Sequence, residues 1–252
     1  MKIACDLFTS SIRFQVITKE VVYKIKKNFS KIDLIDANSN KFKKNKKNIK
    51  IYWGNRINAK LIKEMPDLAW IHYGSTGVNS DVLQLAQERK IYVTNTRRTF
   101  DEAVTSTVMS FIFMLARGIN YSLDLKKKNK LNRKFYNFIT PNIQNVFGQK
   151  ILLVGFGGIA KKVAKMCNAM NMDVYGIKRN FNTRKIKRVK FYNISKLQKA
   201  VQNKNYVVNL LPYTSLTKEK FNKKIFSKME KKAFFINVGR GETVNEFDLI
   251  KA

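Results

Sequence analysis

The sequence predicts an α/β protein with two domains, each a parallel sheet covered by helices. Three observations favour this fold. Short runs of β-branched and aromatic residues alternate with helical segments, and the 252 residues are enough for two cores. A long helical segment that begins at Asp101 then interrupts the alternation. We therefore assign residues 1–98 to a first domain and residues 99–252 to a second domain.

The first domain is predicted to hold five strands, because five runs rich in Ile, Val, Tyr and Trp lie between polar segments. They cover residues 3–5, 32–35, 51–53, 68–72 and 91–94. Helices are expected between them at residues 16–27, 58–64 and 81–88. Asn58 is suited to cap the second of these helices. The Lys- and Asn-rich run 39–48 is expected to be an exposed loop or a solvent-exposed helix.

The second domain is predicted to open with a helix that has one apolar face. The apolar positions repeat at helical spacing and are Val104, Val108, Phe111, Ile112 and Leu115. Asp101 and Glu102 precede them, a placement that favours a helix N-terminus. The helix is expected to end near Gly118, and a basic, partly helical segment is expected to continue to Pro141.

A strand that runs into a glycine-rich turn is the strongest local signal. The apolar residues 151–154 are followed by Gly155-Phe156-Gly157-Gly158-Ile159-Ala160. One face of the helix that follows is expected to carry Ile159, Val163, Met166 and Met170. A G-x-G-x-x-A pattern between a strand and a helix is typical of Rossmann domains, in which it holds the pyrophosphate of a dinucleotide at the helix N-terminus. The alternative is an ordinary strand-turn-helix.

The residues after the next strand indicate which dinucleotide is bound. Strands expected at residues 174–177, 189–192, 206–210 and 233–238 would extend a doubly wound sheet. The first of these ends in Lys178-Arg179-Asn180, where an NAD site would carry an acidic residue for the ribose hydroxyl. Two cations there favour a 2′-phosphate, so NADP is the predicted cofactor and NAD the second choice. The alternative is that they are two more cations in a basic protein.

The net charge of +33 requires its own interpretation. Lys and Arg number 50 against 17 Asp and Glu, and they concentrate in residues 41–50, 126–134 and 178–190. This concentration of positive charge attracts polyanions, but the clusters form no single stripe and contain no motif of a nucleic-acid-binding domain. We therefore do not expect a nucleic-acid partner, and a polyanion binder remains an alternative.

Cysteine, histidine and hydropathy patterns exclude several classes of protein. Cys5 and Cys167 lie far apart and His72 is the single histidine, so no disulfide framework and no metal site is expected. This cysteine usage is typical of the reducing cytoplasm. The richest apolar run, residues 109–116, is too short to span a membrane.

Motifs in both halves of the chain resemble the D-isomer-specific 2-hydroxyacid dehydrogenases, the family of phosphoglycerate, glycerate and formate dehydrogenases. In the first domain, residues 68–78 resemble the strand and substrate loop of the family, with Ser75, Thr76 and Gly77 in the loop. Residues 148–160 resemble the cofactor turn, residues 209–217 the cofactor loop, and residues 235–241 the signature that contains an arginine. The resemblance implies a flavodoxin-like substrate domain followed by an NAD(P)-binding domain.

The resemblance also implies hydride transfer between the nicotinamide and C2 of a small 2-hydroxy or 2-oxo acid. Arg240 would bind the substrate, and backbone N–H groups of Ser75, Thr76 and Gly77 would hold its carboxylate. Two sets of residues would contact the cofactor. They are the turn Gly155, Phe156, Gly157, Gly158 and Ile159, and the loop positions Leu211, Pro212, Thr217, Val238 and Gly239. The family commonly forms homodimers, so a homodimer is expected.

The sequence departs from the family after Arg240. The acid/base histidine of the family and its orienting glutamate lie beyond that arginine, whereas the 252 residues contain no histidine after His72. The last strands of the family's cofactor sheet and its terminal helix are also missing. Three hypotheses follow: a truncated dehydrogenase, a cofactor-binding protein without catalysis, and a polyanion binder on this scaffold.

Overall fold

A computed structural model describes residues 1–8, 16–134, 137, 143–179 and 186–252. The chain forms two compact units, Met1–Thr99 and Phe100–Ala252. The assignment of the first unit to the substrate and the second to the cofactor remains a prediction. Asn180 and the residues around Pro141, which the sequence interpretation included, lie outside the described ranges.

The first unit is built on a five-stranded sheet in which each strand is parallel to its neighbours. Its strands are β1 (Lys2–Cys5), β2 (Asp33–Asp36), β3 (Ile51–Trp53), β4 (Trp70–Tyr73) and β5 (Tyr92–Asn95). They are ordered β2-β1-β3-β4-β5. This is the flavodoxin-like order, in which the chain reverses direction across the sheet between β1 and β3. The predicted flavodoxin-like fold is confirmed.

Four α-helices are described between these strands. They are α1 (Lys19–Asn28), α2 (Asn40–Asn45), α3 (Ala59–Lys63) and α4 (Ser80–Glu88). The predicted cap of α3 is confirmed, because Oδ1 of Asn58 accepts a hydrogen bond of 2.9 Å from the N–H of Leu61.

The Lys-rich run before β3 forms a largely exposed helix, one of the two predicted alternatives, but it carries one buried side chain. The Ser39 hydroxyl caps α2 by accepting from the N–H of Phe42. The Phe42 side chain is only 3% exposed and packs in the same core as Ile49. One apolar residue among many lysines therefore anchors the helix, since the lysines point outward and leave Phe42 to face the sheet.

The second unit is built on another five-stranded parallel sheet. Its strands are β6 (Lys150–Val154), β7 (Asp173–Lys178), β8 (Val189–Asn193), β9 (Tyr206–Asn209) and β10 (Phe234–Asn237). They are ordered β10-β9-β6-β7-β8. Counted from β6, this is the 3-2-1-4-5 order of the doubly wound nucleotide-binding fold, with its crevice at the carboxyl ends of β6 and β9. The Rossmann prediction is confirmed.

Both faces of this sheet are covered, which explains the unbroken apolar sequence of β6. Ile151 and Leu153 pack into one buried cluster, whereas Leu152 and Val154 pack into another on the opposite face. Successive side chains of a strand point to opposite faces, so a strand buried on both sides needs apolar residues at every position.

Six helices are described in the second unit. They are α5 (Asp101–Ala116), α6 (Ile119–Lys127), α7 (Gly158–Ala169), α8 (Leu197–Ala200), α9 (Lys223–Phe226) and α10 (Glu246–Ile250). Gly118, between α5 and α6, has a left-handed φ of 63° that suits glycine at a helix junction. In the described ranges no single helix could cross a membrane, although α5 and α6, bent by 73°, have sufficient length and composition together.

The apolar faces predicted for α5 and α7 are only partly buried. The buried positions of α7 are Ala160, Val163, Ala164 and Cys167, whereas Met166 is 45% exposed. In α5, Val108 and Ile112 are buried as predicted, but Phe111 is 38% exposed. Small side chains let α7 approach the sheet closely, so the buried stripe follows the small residues and not the largest apolar ones.

Candidate active site

The turn between β6 and α7 has the geometry that its glycines suggest. Gly155 has a φ of +98°, and a Cβ there would lie 2.8 Å from the carbonyl oxygen of Leu210. A side chain is therefore excluded both by backbone conformation and by space. Beside Gly157, in contrast, no heavy atom of the described residues lies within 4 Å of where a Cβ would be. The backbone is thus open to a close approach at Gly157.

The first turn of α7 can bind an anion at this opening. Gly157 is the residue before the helix, and as a glycine it has no side chain with which to cap the first N–H groups. The first N–H groups of a helix lack intrahelical acceptors, and the helix dipole favours negative charge there. The turn therefore fits the pyrophosphate of a dinucleotide.

A cavity of about 580 Å³ adjoins the turn and brings together seven of the predicted cofactor residues. These are Gly155, Phe156, Lys178, Arg179, Leu211, Pro212 and Thr217. The structure adds Lys161, Ile177, Ile186 and Ile194 to the lining. Lys161 was missed by sequence reasoning, although its position one turn after Gly157 on α7 could have indicated it. The cavity is therefore apolar in its walls and cationic near the end of β7.

Aromatic rings hold the cation at the end of β7. The Nζ atom of Lys178 lies 4.1 Å from the ring centroid of Phe191 and 5.3 Å from that of Phe156. Burial, and then the charge of Lys161, keep the pKa of the Lys178 ammonium below its usual value. The next residue, Arg179, is exposed. A ligand phosphate at this end of the cavity would relieve the repulsion between these cations.

The loop after β9 is shaped by the hydroxyl of Thr217. This buried hydroxyl accepts from the N–H of Thr214 at 2.8 Å and lies 2.7 Å from the carbonyl oxygen of Pro212, to which it can donate. Thr217 thus fixes the wall of the cavity that Leu211 and Pro212 line. Direct contact of Thr217 with a cofactor remains a prediction.

A buried amide connects this loop to the one that carries Arg240. Asn209, the last residue of β9, is wholly buried. Its Nδ2 donates to Oδ1 of Asn237 at 3.0 Å and to the Thr243 hydroxyl at 2.7 Å, and its Oδ1 accepts from the N–H of Leu211 at 3.1 Å. Sequence reasoning missed these three positioning residues. The sequence did offer one indication of this network, an asparagine at the end of an otherwise apolar strand.

The loop after β10 approaches the loop after β9 closely. The Asn237 side chain accepts from the N–H of Gly239, and a Cβ on Gly239 would lie 2.7 Å from the carbonyl oxygen of Leu211. Arg240 follows with an exposed side chain, whose Nη1 donates to the carbonyl oxygen of Gly239 at 3.3 Å. Val238 is half-buried. The guanidinium is therefore presented to solvent at the carboxyl edge of the sheet.

The predicted substrate loop of the first unit follows β4. Thr96 N–H donates to the carbonyl oxygen of Ser75, the Asn95 amide donates to that of Thr76, and the Ser75 hydroxyl donates to that of Gly77. Among the described residues, the N–H groups of Ser75, Thr76 and Gly77 have no backbone acceptor. The carbonyl groups of the loop thus accept hydrogen bonds from within the first unit, whereas its N–H groups can donate to an anion.

Asp6, which the sequence interpretation did not single out, organises the end of β1. The carboxylate is 3% exposed and accepts from the Tyr52 hydroxyl at 2.8 Å and from the N–H of Arg56 at 2.6 Å. Burial and the adjacent Asp6 charge raise the pKa of the Tyr52 hydroxyl, which stays protonated as a donor. Asp6 therefore joins β1 to the loop after β3.

His72 is engaged within the first sheet. It lies on β4, with Nδ1 at 2.8 Å from the Thr94 hydroxyl, which also accepts from the Trp70 indole N–H. Within the described ranges, no group of three or more His, Cys, Asp or Glu side chains could hold a metal ion.

Comparisons with known proteins agree with this geometry. Residues 109–252 match the family model of the D-isomer specific 2-hydroxyacid dehydrogenase NAD binding domain. The chain is 28% identical over 201 residues to glyoxylate/hydroxypyruvate reductase B of Enterobacter sp. (strain 638), covering 78% of this chain and 60% of that protein. A probable 2-ketogluconate reductase of Dictyostelium discoideum is 25% identical, with coverages of 78% and 58%. The chain thus spans about 60% of the length of these curated relatives.

Solved structures share the fold over the whole chain. The NAD-dependent formate dehydrogenase of Staphylococcus aureus in complex with NAD aligns with a TM-score of 0.81 at 20% identity, over 100% of this chain and 77% of that one. The NADPH-dependent glyoxylate/hydroxypyruvate reductase of Sinorhizobium meliloti, in complex with NADP and sulfate, aligns with a TM-score of 0.78 at 22% identity, over 99% and 76%. Because the family model matches more than half of its residues, this chain belongs to the D-isomer specific 2-hydroxyacid dehydrogenase family.

Proposed function

We propose that the protein transfers a hydride between NADP(H) and C2 of a small 2-hydroxy or 2-oxo acid. The observation that carries this proposal is the grouping of three features at the carboxyl edge of the second sheet. They are the open turn at Gly157, the cationic end of β7 and the exposed Arg240 on its fixed loop. In parallel α/β sheets this edge is where ligands bind. When bound, the nicotinamide supplies the hydride donor or acceptor.

The residues of the chain would bind and orient the substrate. The Arg240 guanidinium can hold a carboxylate or carbonyl with two parallel hydrogen bonds, which fixes the plane of the acid. The N–H groups of Ser75, Thr76 and Gly77 are the second candidate carboxylate site, on the first unit. The Asn209 network supports this role, because it fixes the backbone that presents Arg240. The substrate is thus expected to be a short acid with an oxygen at C2.

The preference for NADP over NAD is supported by the charges at the end of β7. Lys161, Lys178 and Arg179 line the cavity, and no carboxylate is among its described lining residues. NAD sites use an acidic side chain at this position to hold the ribose hydroxyls, whereas a 2′-phosphate needs cations. NADP is therefore the proposed cofactor.

We expect NADPH to bind at least about tenfold more tightly than NADH, which requires only about 1.4 kcal/mol from a charge-assisted phosphate contact. Arg179→Gln is expected to remove most of this difference by weakening NADPH binding alone. Titration calorimetry of both nucleotides at physiological salt measures the ratio. Arg117→Gln, which removes an exposed cation at the end of α5, is the matched control. Equal affinities for the two nucleotides would reject the NADP assignment, and absence of binding of both would reject the function.

We propose a homodimer formed through α5 and α6. Phe111 and Phe113 of α5 are 38% and 39% exposed, and Tyr121 and Leu123 of α6 are about half exposed. Light scattering is expected to give the mass of a dimer at about 0.15 M salt, where the Debye length is about 8 Å. At low salt a smaller mass is expected, because the net charge of +33 on each chain makes the two chains repel more strongly. Phe113→Glu is expected to give a monomer. A wild-type monomer at every salt concentration would contradict the proposal.

We propose a cytoplasmic location on the basis of the two thiols. Cys5 and Cys167 form no disulfide, and both are buried. Burial raises the pKa of the Cys5 thiol to about 11 and that of the Cys167 thiol to about 12. Both therefore stay protonated and unreactive near neutral pH, as structural cysteines do in a reducing compartment.

A further inference from the structure

A carboxylate from α5 lies against the first turn of α7. A Cβ atom built on Gly158, the first residue of α7, would overlap Oδ2 of Asp101, and its distance to Oδ1 of Asp101 would be 3.3 Å. Any side chain at position 158 would therefore displace Asp101. The Asp101 carboxylate of α5 thus occupies the position that a side chain on Gly158 would fill.

Neighbouring contacts hold Asp101 at this place. Glu102 forms an ion pair of 2.9 Å with Lys162, one turn further along α7, and this contact keeps the pKa of the Glu102 carboxyl below its ordinary value. The buried Thr105 hydroxyl donates to the carbonyl oxygen of Asp101 at 2.6 Å. The first turns of α5 and α7 are thus joined by a charge pair beside Asp101, and the Asp101 carboxylate lies near the helix N-terminus.

The Asp101 charge has opposite effects before and after a ligand binds. A carboxylate near a helix N-terminus interacts favourably with the dipole, so Asp101 stabilises α7 in the unliganded protein. A pyrophosphate bound at the same turn brings further negative charge within a few ångströms, where like charges repel strongly in a partly buried site. The pyrophosphate then gains less from the helix dipole, because the nearby Asp101 carboxylate repels it.

We infer that Asp101 sets the affinity of the protein for dinucleotides, because its carboxylate competes with the pyrophosphate for the N-terminus of α7. This inference rests on the proposed function. It assigns to Asp101 a specificity role, since the carboxylate disfavours ligands with a pyrophosphate and leaves those without one unaffected. The residue thereby weakens cofactor binding, which favours release of the nucleotide after each turnover.

Asp101→Asn tests this inference, because it removes the charge and keeps the shape. The affinity for NADPH is expected to rise roughly three- to tenfold, more at low salt than at high salt. The affinity for adenosine 2′-monophosphate, which has no pyrophosphate, is expected to stay unchanged. The Tm of the unliganded variant is expected to fall, so stability and NADPH affinity change in opposite directions. Asp124→Asn, the same substitution at an exposed residue of α6, is the matched control.

Asp101→Ser, which keeps a side chain suited to the start of a helix, is the second variant should Asp101→Asn fold poorly. An affinity for NADPH that is unchanged or weaker in a folded variant overturns the inference and leaves the proposed function intact. If the wild-type protein binds neither NADPH nor adenosine 2′-monophosphate, the proposed function fails and the inference fails with it. Tightening of NADPH alone supports both.

Discussion

Replacing Asn209 by leucine is expected to lower the free energy of unfolding of the second unit by about 2–4 kcal/mol, because one buried N–H loses its acceptor and two further hydrogen bonds are lost. Leucine has a similar volume but leaves the buried Leu211 N–H without its acceptor. The Asn237 side chain and the Thr243 hydroxyl each lose one hydrogen bond but keep those to the Gly239 N–H and to the Arg240 carbonyl oxygen. Each buried polar group left without a hydrogen bond costs about 1–3 kcal/mol. The loop that carries Leu211 and the loop that carries Arg240 also lose the hydrogen bonds through Asn209 that join them.

Two spectroscopic signals separate the two units in a urea titration. Both tryptophans, Trp53 and Trp70, lie in the first unit, so their fluorescence follows that unit, whereas far-ultraviolet circular dichroism follows the whole chain. In Asn209→Leu the dichroism transition is expected to move to lower urea, and the tryptophan transition much less. Gln198→Leu, an exposed amide on α8, is the control. A dichroism transition equal to that of the wild type would refute the structural role of the Asn209 network.

The polypeptide of residues 1–252 is expected to reduce glyoxylate or hydroxypyruvate with NADPH about 10²–10⁴-fold more slowly than a complete acid/base site allows. His72 is the single histidine, and it contacts Thr94 on β4. Beyond Arg240 the acidic residues are Glu242, Glu246 and Asp248, and Asp248 already accepts from the N–H of Lys223. No residue with the family's histidine role is therefore identified in these 252 residues.

Steady-state assays with both acids measure this loss. Imidazole added to the assay is expected to restore part of the rate, because it is a small general acid with a pKa near neutrality. Arg240→Gln is expected to remove roughly 10- to 100-fold of the remaining kcat/KM, the effect of losing a charge-assisted substrate contact. A turnover number of about 1–10³ per second without imidazole would show that another group supplies the proton.

Local sequence was sufficient for the features that neighbouring residues determine. The apolar run at residues 151–154 indicated a strand, and the pattern from Gly155 to Ala160 indicated a tight turn followed by a helix. The Asn58 cap was equally readable. In each case the physical cause lies within a few residues, because alternation, left-handed backbone conformations and capping depend on adjacent positions.

Local sequence did not identify the buried side chains of a helix where burial depends on the surface against which the helix packs. Hydropathy placed Met166 and Phe111 on the apolar faces of their helices, but both are partly exposed, whereas the small Ala160 and Cys167 are wholly buried. It also favoured exposure of the Lys-rich run, in which Phe42 is in the core. The fit of a helix to a sheet selects side chains by size as well as by polarity, and the sequence of one helix does not contain the shape of its partner.

The sequence by itself determined the fold class and the residues that lie at the carboxyl edge of the second sheet, and the family resemblance implied the two domain folds. Only the tertiary structure decided which polar groups meet in each unit. Asn209 and Thr243 are 34 residues apart, and Asp6 and Arg56 are 50 apart. The Asp101 carboxylate reaches Gly158 from another helix. Such contacts depend on the packing of distant segments, and burial makes them strong, so no local pattern of residue types encodes them.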